Sequence, residues 1–374
     1  MRLFITSAIL LMALGCSRPA EPLAAPSPTS QVDARPPVYS LRIDPLTAIP
    51  RHGLIHLTAV PAGIYFVLET KGGSETVEFV NESNFVEETP LTSASVAAAF
   101  GYPAVTGTFQ GLAGAGDFLY FYFAGTSEQH FHAALGRYSL TSKKIELLAD
   151  EHQIADLSAA GDELSICRGE VACAGKTLWL WLHSLDGSYF LQRDLDQPGP
   201  EIPLRRGFDH LDAQSLVPEL THEGYEVNGC ANGALLILDP WMREIWQITP
   251  AGKATPVVCL VGLPNALSAP VPDANNQIVL FSADAELIGP RLESQRPQTM
   301  PSIEFPALMI FGGADPTAVS RSEMRCPPQF SIDSFRFAAM CQSPRGNGWI
   351  GYDTASSELF SLNLSTTPPL NLTP

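Results

Sequence analysis

Short apolar runs, cut every few residues by Gly, Asp or Pro and recurring at intervals of about 45 residues, predict an all-β fold assembled from small antiparallel sheets. Hairpin signals such as Asp186-Gly187 and Lys71-Gly72-Gly73 join neighbouring runs. No stretch keeps a helical period for three turns, except the Ala-rich segment Thr92 to Phe100. Length alone, 374 residues, suggests two or three domains, but one repeated unit filling the chain removes that need.

The chain opens on Arg2, a twelve-residue apolar segment from Leu3 to Leu14, and Ala13-Leu14-Gly15-Cys16. A spanning helix needs about 20 apolar residues, so residues 1–15 read as a signal peptide. The segment resembles the bacterial lipoprotein signal, in which a small residue precedes a cysteine. It departs from that pattern at Ala13, where the family has Leu, and at Leu14, where it prefers Ala or Ser. The resemblance implies lipidation of Cys16 and a membrane anchor, and Ser17 resembles the sorting residue of outer-membrane lipoproteins. Residues 16–37 then carry six prolines, Pro19, Pro22, Pro26, Pro28, Pro36 and Pro37. They favour an extended tether at about 3.1 Å per residue.

From residue 38 to 374 the strands follow in order. Leu54 to Val60, Gly63 to Glu69 and Glu75 to Val80 form most of one unit. Phe118 to Ala124, Ala134 to Leu140 and Lys144 to Ala149 form the next. A third has Glu163 to Cys167, Thr177 to Ser184 and Ser188 to Asp194. The fourth has Tyr225 to Cys230, Ala234 to Leu238 and Glu244 to Thr249, with Asp239-Pro240 opening its hairpin. Gln277 to Ser282 and Ala307 to Phe311 mark a fifth, and Ser334 to Cys341, Trp349 to Asp353 and Glu358 to Leu362 a sixth. Gly116-Asp117-Phe118-Leu119 aligns with Gly161-Asp162-Glu163-Leu164, and Arg137 to Leu140 with Leu182 to Leu185, both at a spacing of 45.

One such sheet cannot bury both faces alone, whereas sheets stacked around a channel cover one another, so the expected fold is a six- or seven-bladed β-propeller of four-stranded antiparallel sheets. A pair of β-sandwiches is the alternative. Val38 to Ile43 is expected to pair with the last blade and close the ring. The Gly-Asp-x-Leu and turn pattern is similar to the broad NHL and WD-type propeller class, although no unit has the Gly-His and Trp-Asp signature. Trp179 and Trp181 share one strand face and Leu178, Leu180 and Leu182 the other, as expected of a strand buried on both sides.

Acids outnumber bases 39 to 22, a net charge of −17, which excludes nucleic acid as a partner. With Cys16 lipidated, six cysteines remain, and an exported chain admits three disulfides. Neighbours in sequence suggest Cys167 with Cys173, Cys230 with Cys259, and Cys326 with Cys341. Glu128, His130 and His132 alternate and could bind a metal, and Asp273 and Asn275 offer oxygen donors that calcium favours. Asp209, His210 and Asp212 place an imidazole among acids in an irregular stretch. No nucleophile-elbow, zinc-protease, Walker or dinucleotide motif is present. Trp241 and Trp246 flank the fourth unit's turn, where packing between sheets is expected. Residues 197–218 and 285–306 read as long insertions suited to a partner-binding rim.

The function expected is that of an envelope lipoprotein, held at the outer membrane on its periplasmic face or at the cell surface. Its propeller would be a binding or assembly scaffold for a protein or envelope polymer, with no cofactor required. One alternative is a calcium-dependent hydrolase or lactonase, the chemistry that lactonase-like propellers carry in their channel. Another is a purely structural surface protein.

Overall fold

The computed structural model describes residues 38–49, 54–69, 74–81, 84–102, 105–127, 130–158, 168–183, 188–196, 205–206, 226–230, 232–239, 244–252, 254–261, 271–272, 278–282, 286–288, 307–311, 319–321, 337–343, 348–353 and 356–367. The signal, Cys16 and the tether lie outside them, as do Cys167, Cys326, Glu128, Trp241, Asp209, His210, Asp212, Asp273 and Asn275.

Strand follows strand in hairpins. Sheet 1 is β2 (Leu54–Val60), β3 (Gly63–Glu69), β4 (Glu75–Val80) and β5 (Val86–Thr92), followed by helix α1 (Ser93–Ala99). Sheet 2 is β6 (Thr106–Ala115), β7 (Phe118–Ser127), β8 (His130–Ser139) and β9 (Ile145–Asp150), followed by helix α2 (Glu151–Ser158). Sheet 3 is β10 (Arg168–Ala174), β11 (Thr177–His183), β12 (Ser188–Asp194) and β13 (Arg205–Arg206). Sheet 4 is β14 (Glu226–Gly229), β15 (Leu235–Asp239), β16 (Glu244–Ile248), β17 (Ala254–Val261) and, as a fifth strand, β20 (Glu286–Ile288). Sheet 5 is β18 (Val271–Pro272), β19 (Ile278–Ser282), β21 (Ala307–Phe311) and β22 (Val319–Arg321). Sheet 6 joins β23 (Phe337–Gln342), β24 (Gly348–Asp353) and β25 (Glu358–Thr367) to β1 (Val38–Ala48).

The first strands of successive sheets are neighbours: β2 with β6, β6 with β10, β10 with β14, β14 with β18, β18 with β23, and β23 again with β2. This is a β-propeller, and the pair of sandwiches is excluded. Five of its described sheets have four strands, against the six or seven four-stranded units expected. The departure comes from sheet 4, where β20, part of the stretch read as an insertion, adds to β17. The other insertion contributes β13, the fourth strand of sheet 3. As expected, the N-terminal strand β1 pairs antiparallel with β25 at the rim of sheet 6, from Val38 opposite Thr367 to Ala48 opposite Glu358. The last sheet is therefore stitched by strands from both ends of the chain, and β25 does not present an open edge.

Facing sheets bury each other. Leu178, Leu180 and Leu182 pack toward Tyr120, Tyr122 and Leu135 of sheet 2, while Trp179 and Trp181 pack with Leu235, Ile237 and Ile248 of sheet 4. The alternation read from sequence thus separates the two interfaces of sheet 3. Trp246 belongs to the same packing, and the Trp179 indole N–H donates to the Gly233 carbonyl at 3.0 Å across the interface.

The repeat spacing of 45 is corrected. Gly116 and Gly175 both have φ of +56° in the two-residue turns that lead into β7 and β11. The equivalent turns are therefore those two, and the true offset between sheets 2 and 3 is longer. Arg137 to Ser139 ends a third strand, whereas Leu182 and His183 end a second strand. Every hairpin repeats the same apolar-run-then-turn pattern, so an alignment can slip by one strand and still keep register.

Candidate functional site

Strands β2, β6, β10, β14 and β23 enclose a cavity of ≈ 300 Å³ in the centre of the ring. Its wall is mostly aliphatic and backbone, including Leu57, Leu112, Val171, Val227 and Met340, with polar groups at His56, Thr58, Glu170, Asn228 and Gln342. Glu170 is the one carboxylate among the described lining residues.

Innermost strands splay apart and cannot pair with each other as a ladder, so their edge N–H and C=O groups need other partners. Side chains of adjacent sheets supply them. A bulge in β6 between Phe109 and Gly111 breaks its ladder with β7. There the Phe109 N–H donates to the Glu75 carboxylate, and the Phe109 carbonyl accepts from His56 Nε2 at 3.1 Å. Gly114 N–H donates to Thr58 Oγ1 at 2.9 Å, and Gly169 N–H donates to Gln110 Oε1 at 3.0 Å. Sheets 1, 2 and 3 are laced around the channel by these bonds. Where backbones come closest, glycine is required: a Cβ on Gly229 of β14 would stand 2.2 Å from the Cys173 carbonyl of β10.

Two ionisable groups, the buried Glu75 and the half-buried His56, hold the backbone of Phe109 from its N–H and C=O sides. Burial pushes the Glu75 carboxyl up to about 7, helped by the Glu69 charge and opposed by the Phe109 N–H. His56 has part of its ring on the channel but is surrounded by protein, and burial drives it down to about 4 against the pull of the Phe109 carbonyl.

Cys173, Cys230 and Cys341 carry free thiols. Each of the three disulfides expected from sequence contains one of them, so that pairing is corrected. Cys173 lies on β10 and Cys341 on β23, where both line the channel, and Cys230 is buried just beyond β14. Burial raises all three thiols to about 12. They are small apolar fillers of the inner ring.

His130 and His132 fall at the start of β8 and do not line the channel. His130 is exposed, opposite Ser127 in the β7–β8 ladder. His132 points its Nε2 to Ser127 Oγ at 3.0 Å, and its Nδ1 is 3.5 Å from Glu151 Oε1. The Tyr102 hydroxyl donates to Glu151 Oε2 at 2.6 Å, and its ring lies 4.5 Å from that of His132. No group of three or more His, Cys, Asp or Glu arranged to hold a metal occurs among the described residues.

His56, Thr58, Glu75, Ser127, Tyr102 and Glu151 were not visible as site residues in the sequence. Two signals do point at their supports. Asp150-x-x-Gln153 is a capping box, with Gln153 N–H donating to Asp150 Oδ1 at 2.9 Å and Asp150 N–H to Gln153 Oε1 at 3.1 Å, and it starts α2 at Glu151. Gly101, with φ of +79°, ends α1 in a Schellman turn in which Tyr102 N–H donates to the Ala97 carbonyl at 2.7 Å.

The fold defines the class: a β-propeller whose central cavity is lined by backbone, small aliphatic side chains and a few polar groups. No protein-family model and no curated protein matches the chain. Among solved structures it is similar to a streptogramin B lyase, with 10% identity, a TM-score of 0.41, and 87% of this chain and 98% of that one covered. It is also similar to virginiamycin B lyase from Staphylococcus aureus, with 10% identity, a TM-score of 0.40, and 87% and 99% covered. A chain of a nidogen/laminin complex matches with 16% identity, a TM-score of 0.34, and 84% and 100% covered.

Proposed function

We propose that this chain is a membrane-anchored envelope lipoprotein whose propeller is a rigid binding or assembly scaffold for a protein or envelope polymer. The observation that carries the reading is the channel wall. Among its described residues it has a single carboxylate, Glu170, with Thr58, Asn228 and Gln342 as the other side-chain oxygens, which falls short of the several acidic ligands that a calcium-dependent hydrolase favours. Recognition is then left to the faces and the connecting segments of the ring. The acylatable Cys16 and the proline-rich segment 16–37 support anchoring at the outer membrane, on the periplasmic face or at the cell surface.

Two measurements test it. Radiolabelled palmitate should enter the chain and disappear in Cys16→Ser, which should also move the protein from the membrane fraction to the soluble fraction. Cross-linked envelope pull-down should recover a partner that is lost when residues 207–218 and 289–306 are replaced by short Gly-Ser links. Unchanged partners in that variant, with its melting temperature intact, would overturn the rim-binding reading.

A further inference from the structure

The geometry points to a second site, independent of the scaffold reading: we propose that Ser127, His132 and Glu151 form a nucleophile–base–carboxylate triad that transfers an acyl group from ester substrates at the outer part of sheet 2.

Each member is held by a different local rule. Ser127 ends β7 opposite His130, and His132, two residues further along β8 and opposite Gly125, is its diagonal neighbour, with Nε2 3.0 Å from Ser127 Oγ. Glu151 opens α2, where the Asp150–Gln153 capping box fixes the first turn and the helix N-terminus favours its negative charge. Its Oε1 faces Nδ1 of His132 at 3.5 Å, a nitrogen that is buried and makes no hydrogen bond. Its Oε2 accepts the Tyr102 hydroxyl at 2.6 Å, and the Tyr102 ring covers the imidazole. The imidazole thus has its two nitrogens directed to a hydroxyl and a carboxylate, which is the order of roles a serine nucleophile requires. A 3.5 Å separation is within what catalytic contacts show before substrate closes them. The site is reachable: Ser127 is partly exposed, and the His132 and Glu151 side chains are each 20% exposed.

In the reaction Ser127 Oγ attacks the ester carbonyl carbon and His132 Nε2 takes the hydroxyl proton. Collapse of the tetrahedral adduct breaks the carbonyl–alkoxy bond, and the same proton passes from Nε2 to the leaving alcohol. Water then attacks the acyl-serine with His132 as base, releasing the acid and restoring the hydroxyl. Glu151 and Tyr102 are positioning residues that act through the imidazole.

The test is a fluorophosphonate probe on the full chain, with the adduct mapped by mass spectrometry and p-nitrophenyl acetate hydrolysis followed in parallel. The expected adduct is on Ser127. Ser127→Ala should abolish it, and His132→Gln should slow labelling by at least about 100-fold. Glu151→Gln should slow labelling with an unchanged melting temperature, and Glu151→Asp should restore part of the rate. As a measurement that survives a damaged ester site, Ser127→Cys should be alkylated by iodoacetamide faster with His132 present than in the His132→Gln background. No adduct on the folded protein, an adduct that persists in Ser127→Ala, or equal alkylation of the two cysteine variants would each overturn the proposal.

Discussion

Replacing Glu75 by Gln should make the protein more stable at alkaline pH and leave it unchanged in acid. Gln keeps a carbonyl oxygen for the Phe109 N–H, but it cannot ionise. The buried carboxyl titrates at about 7 in the folded chain against an ordinary 4.5. An acid that binds its proton more tightly when folded adds its full contribution below about 4.5 and loses it as pH rises through about 7. The shift corresponds to about 3 kcal/mol at 1.36 kcal/mol per unit. His56 acts in the opposite sense, because a base driven from 6.5 to about 4 destabilises the fold in acid and ceases to do so as pH rises toward 6.5. The two slopes offset one another between pH 4.5 and 6.5 in the natural chain. Glu75→Gln removes one of them, so its stability should climb through that interval. Urea unfolding at pH 4, 5.5, 7 and 8 measures this directly: the difference between variant and natural chain should grow by about 3 kcal/mol from the lowest pH to the highest. A difference independent of pH would falsify the assignment of a protonated, buried Glu75.

Trp181 is fully buried and stacks on Phe190 with ring centroids 5.9 Å apart, so Trp181→Ala should cost about 3–5 kcal/mol in urea unfolding. Gly229→Ala should destabilise by about 1–3 kcal/mol, since its Cβ would meet the Cys173 carbonyl and force β14 away from β10. Cys230 and Cys341, buried and with thiols raised to about 12, should resist iodoacetamide at pH 8 in the folded protein and react on unfolding; rapid native labelling of either, mapped by mass spectrometry, would contradict their burial.

The strands Leu54–Val60, Gly63–Glu69, Glu75–Val80, Ser188–Asp194 and Ala307–Phe311 are legible to the residue, because period-two patterning and turn residues are local properties of the chain. The Ala-rich segment likewise forms α1, capped by Thr92 accepting from Ser95 N–H at 3.0 Å. By contrast, the strand expected at Glu163 to Cys167 lies outside the described residues while sheet 3 begins at Arg168–Ala174, and the equivalent turns of sheets 2 and 3, at Gly116 and Gly175, are not spaced by 45. Proximity in sequence suggests three cysteine pairs, yet Cys173, Cys230 and Cys341, one from each, carry free thiols.

By itself the amino-acid order determined the all-β class, the alternating faces of Thr177–His183 and the closing role of the first strand. Those depend on neighbours two residues apart and on turn chemistry. Only the tertiary structure decided which polar side chains satisfy the edges of the inner strands, and that Tyr102, Ser127, His132 and Glu151 converge. These partners come from separate elements, and the distances between them are set by how sheets and helices pack.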